Sequence, residues 1–371
     1  MSDAGTPLDP DCARPLNLIA ELTYRCPLRC PYCSNPVDHA TIRDQLGTED
    51  WTRVFQEAAD LGVLHVGLTG GEPTTRKDLA AIVQGADQSG LYTLLVTAGM
   101  PVDRQALERL VDAGLRSVQL SIQDAQAEQS NAIAGTESFS QKLRFAKAVR
   151  ELELPLTLNV VLHRRNLDRV EELIVLARDL DAERLELANV QFHGWARLNR
   201  AALMPTATQL EAASETVRRA RKAQRTPEIV LVLPDHFSGR PKPCMGGWGR
   251  KNIVVTPTGA VQPCQEAGTI PGLEFWSVQN HSLAECWSQA PGMNAFRGEE
   301  WMREPCKTCP ERSRDFGGCR CQSFHFTADA ANTDPACRLS PLHHTIEETQ
   351  VERSESWTLR GDKTRPTPTQ S

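Results

Sequence analysis

Cys26, Cys30 and Cys33 stand in the pattern Cys-x3-Cys-x2-Cys, in a segment stiffened by Pro27, Pro31 and Pro36. Thiolates at this spacing hold iron or zinc, but structural zinc is normally closed by four protein ligands and an ordinary [4Fe-4S] electron carrier takes four cysteines. Three thiolates leave one iron of a cubane without a protein ligand, and that iron can bind a substrate. From these residues alone a zinc loop completed by His39 is the alternative. A second group lies far down the chain: Cys244, Cys264, Cys306-x2-Cys309, Cys319-x-Cys321 and Cys337. The pairs Cys306/Cys309 and Cys319/Cys321 also fit a zinc ribbon, which leaves Cys244, Cys264 and Cys337 without a purpose. Cys12 and Cys286 are isolated and read as plain buried or surface thiols.

The surrounding elements must position these groups. From Leu16 to about Pro234 short apolar runs alternate with longer amphipathic segments, the pattern of repeated β/α units. Strands are predicted at Leu16 to Leu22, Val63 to Thr69, Leu91 to Thr97, Ser117 to Ile122, Leu156 to Leu162 and Arg184 to Ala188. Between them, Asp103 to Ala113 and Leu167 to Leu180 carry apolar residues at helical spacing, and Gly62, Gly90 and Gly114 sit where helices end. Six such units predict an α/β fold, a partial (β/α)6 TIM-type barrel over residues 15–234. After Pro234 the composition turns to Gly, Pro, Cys and Trp, so residues 235–344 read as a loop-rich, Cys-rich module that something other than apolar burial must stabilise. Residues 1–14 and 345–371 are polar and poor in apolar residues, and both are expected to be mobile.

The whole chain has 371 residues, 40% of them hydrophobic, enough for a full core. Its start lacks the basic and apolar regions of a signal peptide, and no apolar run reaches membrane-spanning length, which predicts a cytoplasmic protein. In that reducing compartment twelve cysteines point to metal rather than disulfides. A net charge of -6 argues against nucleic acid as a partner. The basic run Arg218, Arg219, Arg221, Lys222, Arg225 reads as the solvated face of a surface helix.

The second predicted strand ends in Thr69-Gly70-Gly71-Glu72-Pro73, where glycines allow a ligand close to the backbone. Barrel enzymes place their chemistry on the loops leaving the C-terminal ends of strands. Thr97 and Ala98, Ser121 with Gln123 and Asp124, Asn159 with His163 and Arg164, and Asn189 with Gln191 fall in such positions.

With Tyr32 as the aromatic, Cys-x3-Cys-x-aromatic-Cys followed one unit later by Gly70-Gly71-Glu72 resembles the radical S-adenosylmethionine (SAM) enzymes. The resemblance implies a [4Fe-4S] cluster on Cys26, Cys30 and Cys33. The methionine end of SAM would chelate the open iron and hydrogen-bond the Gly70, Gly71, Glu72 motif, Tyr32 would lie beside the adenine, and Ser121 and Asn159 would contact the methionine or ribose. The later cysteines resemble the SPASM module, which carries two auxiliary iron-sulfur clusters, [4Fe-4S] or [2Fe-2S]. Its central run normally reads Cys-x2-Cys-x5-Cys-x3-Cys, and here the third position is Asp315, a carboxylate that can also ligate iron. Position by position, the resemblance implies Cys244, Cys264, Cys319 and Cys321 for one auxiliary cluster and Cys306, Cys309, Asp315 and Cys337 for the other.

The stretches Leu18 to Pro36 and Leu187 to Pro205, with aspartate at 315, are similar to the peptide cyclases of pyrroloquinoline quinone biosynthesis. That similarity implies carbon-carbon bond formation between a glutamate γ-carbon and a tyrosine ring of the precursor peptide PqqA. The peptide would be delivered by the small protein PqqD, and electrons by a flavodoxin-like donor. Phe192-His193 stands where an aromatic pair with tyrosine is expected. His163 and His193 are candidates for the base that takes the tyrosine proton. A SPASM enzyme acting on another peptide, or a metal-stabilised electron-transfer protein without catalysis, are the alternative readings.

Overall fold

The computed structural model describes residues 14–39, 41–348 and 353–362. Cys12 and the expected mobile start, apart from Arg14, lie outside them. Nine strands form one sheet in the order β7-β6-β5-β4-β3-β2-β1-β8-β9. They are β1 Asn17–Thr23, β2 His65–Gly70, β3 Tyr92–Thr97, β4 Ser117–Ser121, β5 Leu156–Leu162, β6 Arg184–Asn189, β7 Glu228–Val232, β8 Asn252–Val255 and β9 Val261–Gln262. Every pairing is parallel except β8 with β9. No helix among the described residues is long and apolar enough to cross a membrane.

The six predicted strands are β1 to β6. The structure adds β7, a five-residue edge strand after Pro227, and continues the sheet past β1 into the C-terminal module. There β8 pairs with β1 from Asn17 opposite Asn252 to Ala20 opposite Val255. A backbone edge therefore fixes the module next to the strand that leads into the cysteine triplet, and side chains such as Leu283 and Trp287 add to it by joining the main core. Periodicity cannot reveal this, because a four-residue apolar strand at residue 252 carries no signal naming its neighbour.

Alternation does the sorting within the barrel. Leu18, Ala20 and Leu22 of β1 are fully buried, and so are Leu120 of β4 and Leu156, Leu158, Val160 and Leu162 of β5. They pack on helices α1 Thr48–Asp60, α2 Leu79–Gln88, α3 Arg104–Asp112, α5 Phe139–Glu151 and α6 Val170–Asp179, through side chains such as Trp51, Phe55, Ile82 and Leu107, while α4 Ala127–Ala134 packs Ala134 against Leu28 and Cys30 of the triplet loop. Each such side chain is worth roughly 1.5–3 kcal/mol of burial. The intervening residues, among them Gln119, Ser121, Thr157 and Asn159, are half-buried on the other face of the sheet and line the barrel interior. Against the expectation that something other than apolar burial stabilises residues 235–344, Ile253, Val261, Leu283, Trp287 and Met293 join the main core, and a second, small core lies around Trp248, Cys264, Ala267, Ile270, Cys321 and Ala330.

The basic helix segment behaves as a solvated face: Arg218 pairs with Glu215 at 2.6 Å with both side chains exposed, and Arg221 donates to the Ile229 carbonyl. The expectation of a mobile end beyond residue 345 does not hold for residues 353–362. That segment returns to the barrel, where Arg360 is buried and its N–H donates to the Arg29 carbonyl at 2.9 Å. Residues 363–371 lie outside the described chain.

Candidate functional site

β1 ends at Thr23, and the chain turns into the triplet loop through a bond from the Arg25 N–H to the Thr23 hydroxyl at 3.1 Å. The loop is fastened on several sides. Arg29 N–H reaches the Ala134 carbonyl at 2.7 Å, and the N–H groups of Trp195 and Ala196 reach the Cys33 carbonyl at 2.9 and 3.3 Å. Asn199 holds the Pro31 carbonyl at 2.9 Å. Cys30 is buried, Cys26 and Cys33 half-buried. Burial pushes all three thiols up, Cys30 to about 12, while the charge of Arg360 acts downward on Cys26 and Cys33 and that of Lys142 on Cys30. Apolar thiols held together with two guarded cations nearby make a place for a negatively charged group, which is what a thiolate-ligated cluster is.

The glycine motif closes one side. Gly71 N–H donates to the Thr23 carbonyl at 2.6 Å and Glu72 N–H to the Arg25 carbonyl at 2.7 Å. A Cβ on Gly70 would sit 2.2 Å from the Thr23 oxygen, and one on Gly71 2.5 Å from the Arg25 oxygen. Only glycine lets these backbones meet. Glu72 braces the motif from within. One carboxylate oxygen accepts from the Thr97 and Thr74 hydroxyls, both at 2.7 Å, and the other from the Ala98 N–H at 2.6 Å. With both oxygens engaged by the chain, its side chain orients the motif.

Tyr32 accepts a bond from Gln123 Nε2 at 3.2 Å, and Gln123 in turn accepts from Lys142. Lys142 also holds the Ser121 carbonyl at 3.1 Å, and its ammonium, wholly buried, is drawn down to about 8 by that burial. Ser121 and Asn159, predicted to act together, stand opposite each other across β4 and β5, and Asn159 Nδ2 donates to Glu186 at 3.3 Å. His163 lies with its ring centroid 5.7 Å from that of Tyr32. It is fully buried, its Nε2 has no partner, and burial draws its pKa to about 3. His193 sits 5.3 Å from His325 by ring centroids, with Nδ1 3.9 Å from Glu266. Burial takes His193 to about 4 and Glu266 to about 8, so at neutral pH this is a contact between neutral groups, not an ion pair.

The C-terminal cysteines gather in two places. Cys244 lies just before β8 and Cys264 just after β9, so the β8–β9 hairpin, turned at Gly259 with φ +88°, brings them together. The Cys264 and Cys321 sulfurs are 3.9 Å apart, and Cys244 touches the thiols of both Cys264 and Cys319. Cys306, Cys309, Asp315 and Cys337 line a single pocket with Thr333 and Gly317. Asp315 ends the helical turn Arg312–Asp315, and one of its oxygens accepts from the Gly317 N–H at 2.9 Å. Cys286 is buried in the main core, apart from both groups. Among the described residues no three His, Cys, Asp or Glu side chains converge closely enough to hold one metal ion. Cys306, Cys309 and Cys337 border a pocket instead.

Two buried charges that the sequence reading passed over tie the module together. Asp334 accepts from Cys319 N–H and from Gln322 Nε2, both at 2.7 Å, and so links one thiol group to the loop carrying Cys337. Arg320 donates to the carbonyls of Ala330 at 2.8 Å and Asn332 at 2.9 Å, and to that of Gly317, with its guanidinium over Trp301. Stripping several charge-assisted bonds from buried carbonyls makes Arg320→Ala cost at least about 3 kcal/mol. The expected result is a lower denaturation midpoint with loss of C-terminal iron. Lys142 did carry a signal, since it occupies the apolar stripe Phe139, Phe145, Ala146, Val149 of α5.

The chain matches the family model for the radical SAM superfamily over residues 20–177 and that for the SPASM iron-sulfur cluster-binding domain over residues 244–310. It is 50% identical to the PqqA peptide cyclase of Methylobacterium nodulans over 93% of this chain and 92% of that one. It is 52% identical to that of Methylorubrum extorquens over 89% and 86%. Among solved structures, Streptococcus suis SuiB bound to SAM aligns with a TM-score of 0.74 at 19% identity, covering 88% of this chain and 78% of that one. The SAM-bound protein anSMEcpe aligns at 0.63 and 17% identity, covering 90% and 96%.

Proposed function

The chain belongs to the PqqA peptide cyclase family of radical SAM enzymes, and from that premise we propose that it joins a glutamate γ-carbon to a tyrosine ring carbon of PqqA. The observation that carries the reading is the triplet loop pinned to the glycine motif, with two further thiol groups in the module behind it. Cys26, Cys30 and Cys33 would hold the radical SAM cluster. Cys244, Cys264, Cys319 and Cys321 would hold one auxiliary cluster, and Cys306, Cys309, Asp315 and Cys337 the other. When bound, these groups supply one-electron chemistry: reductive cleavage of SAM to a 5′-deoxyadenosyl radical at the triplet, and an acceptor in the module for the electron the coupled peptide must lose.

The chain's own residues do the rest. Gly70 and Gly71 bring backbone close to the methionine end of SAM, Glu72 fixes their orientation, and Tyr32, Ser121 and Asn159 line the side toward the nucleoside. The tyrosine ring must release a proton. His193 is the better placed of the two candidate bases, because the segment 193–196 bonds to Cys33 while the His193 ring lies close enough to Cys319 to feel its charge. His163 is enclosed by Tyr32 and Trp357. PqqD as the peptide carrier, a flavodoxin-like reductant and a cytoplasmic setting complete the proposal. The eleven described cysteines, all free, favour a reducing compartment.

Mass spectrometry of PqqA after incubation with reconstituted enzyme, PqqD and reductant tests the reaction. A peptide lighter by two hydrogens with a Glu–Tyr cross-link is expected, and unmodified peptide contradicts it. Asp315→Ala should alter the auxiliary-cluster EPR spectrum while SAM cleavage persists; an unchanged spectrum removes Asp315 from the ligand set. Asp315→Cys should keep the cluster with a changed potential, since thiolate donates more charge than carboxylate.

A further inference from the structure

The C-terminal segment 353–362 has a composition that predicts no structure, yet it is bound to the barrel along its length. Ser354 N–H donates to the Ala201 carbonyl at 3.0 Å. Trp357 packs edge-on against His163 at 6.1 Å between centroids, with the Arg165 guanidinium 4.4 Å above its ring. Thr358 and Asn199 exchange two bonds, at 2.7 and 2.8 Å, and Asn199 also holds the Pro31 carbonyl of the triplet loop. Arg29 Nε and the Arg360 carbonyl are 3.1 Å apart. The segment thus crosses the triplet loop at both of its halves.

Arg360 ends this crossing. Its Nη2 donates to the carbonyls of Cys26, at 3.0 Å, and Leu28. Its Nη1 is buried without a partner in the chain, although the residue is only 4% exposed. A guanidinium with an unused donor in a buried place is costly unless an anion completes it. The guanidinium thus lies against the backbone of the triplet loop at Cys26 and Leu28, with its remaining donor unused.

We propose that residues 353–362 are a strap over the radical SAM cluster loop and that Arg360 is its positioning residue, holding the loop by two carbonyls and setting the cluster's reduction potential through its charge and its free donor. The inference rests on Cys26, Cys30 and Cys33 being the cluster ligands. Cluster potentials follow net charge and hydrogen bonds to the sulfurs. A cation beside the cluster stabilises the reduced, more negative form, so Arg360 raises the potential and eases entry of the electron that starts the reaction.

The test is an EPR-monitored redox titration of full-length reconstituted enzyme without peptide, comparing wild type, Arg360→Gln and Arg360→Lys. The radical SAM cluster is identified by the change in its signal on adding SAM. Arg360→Gln should shift that midpoint to more negative potential, Arg360→Lys should recover part of the shift, and the auxiliary midpoints should stay fixed. An unshifted midpoint in Arg360→Gln at full iron content overturns the proposal. If Arg360→Gln loses the cluster, recovery of it in Arg360→Lys supports the role of the charge, and loss in both variants overturns it. A wild-type protein with no SAM-responsive cluster overturns the ligand assignment itself, a result distinct from all of these.

Discussion

Cys33→Ala protein should fold, keep the iron of its C-terminal module and yield no 5′-deoxyadenosine from SAM above background. The reasoning is that the loop does not depend on the Cys33 side chain for its shape. Its backbone is held by Trp195, Ala196, Asn199, Arg29 and Arg360, so loss of one sulfur leaves the loop in place with two thiols. Two thiolates cannot retain a cluster that already lacks its fourth protein ligand. The auxiliary thiols stand on the β8–β9 hairpin and the segments after it, separately supported by Arg320 and Asp334, and should be unaffected. Deoxyadenosine measured by liquid chromatography, beside iron content and the EPR of the reduced protein, checks this. Persisting cleavage in Cys33→Ala would remove the triplet from the chemistry.

Gly70→Ala should be nearly as damaging by a different route. Gly70 takes φ +129°, a conformation L residues avoid at a cost of about 1–3 kcal/mol. Its added Cβ would also lie 2.2 Å from the Thr23 carbonyl and 3.1 Å from the Thr23 N–H. Nothing flexible can yield there, because both contacts are backbone, so the β1–β2 seam must open. That seam leads within three residues to Cys26, and opening it displaces both SAM's expected glycine contact and the first of the proposed cluster ligands. The sum should reach about 3–5 kcal/mol of stability, with loss of measurable SAM binding. Gly90→Ala is the control. It also has positive φ, +79°, but nothing lies within 4 Å of the added carbon, so it should cost only about 1–2 kcal/mol and leave SAM binding intact. Thermal denaturation and equilibrium SAM binding of the two variants separate backbone strain from the specific closeness of the seam. Similar behaviour of the two would contradict the account of the motif.

What could be read from the chain follows from which physical signals are local. Leu18, Ala20 and Leu22 alternate because β1 has one buried face, and α3 and α6 keep their stripes because they bury them in the same core. The α/β class and the first six strands were therefore legible. Thiol spacing is local too, so Cys26, Cys30 and Cys33, and the pair Cys306 and Cys309, declared themselves. Features depending on distant partners did not. β8 became part of the barrel sheet through bonds to β1 across more than two hundred residues, and β7, short and at the edge, fell below the periodic signal. Asp334 and Arg320 carry no local signal, because their partners lie on loops that only the fold brings together. The clearest failure was the C-terminal segment. Trp357 and Arg360 stand in a polar stretch whose average composition predicts mobility, and averages hide one aromatic and one arginine that have complementary sites on a folded barrel. Glu72 shows the reverse case: its position beside the glycines was evident, but only the structure reveals that its carboxylate is fully engaged by Thr74, Thr97 and Ala98.

The most direct test of the central claim uses PqqA carrying deuterium on the γ-carbon of the reacting glutamate, incubated anaerobically with the reconstituted enzyme, SAM, PqqD and a reductant. The account predicts 5′-deoxyadenosine containing one transferred deuterium and a peptide cross-linked between that glutamate and tyrosine. Deoxyadenosine free of deuterium, or a peptide without the cross-link despite SAM turnover, would contradict it.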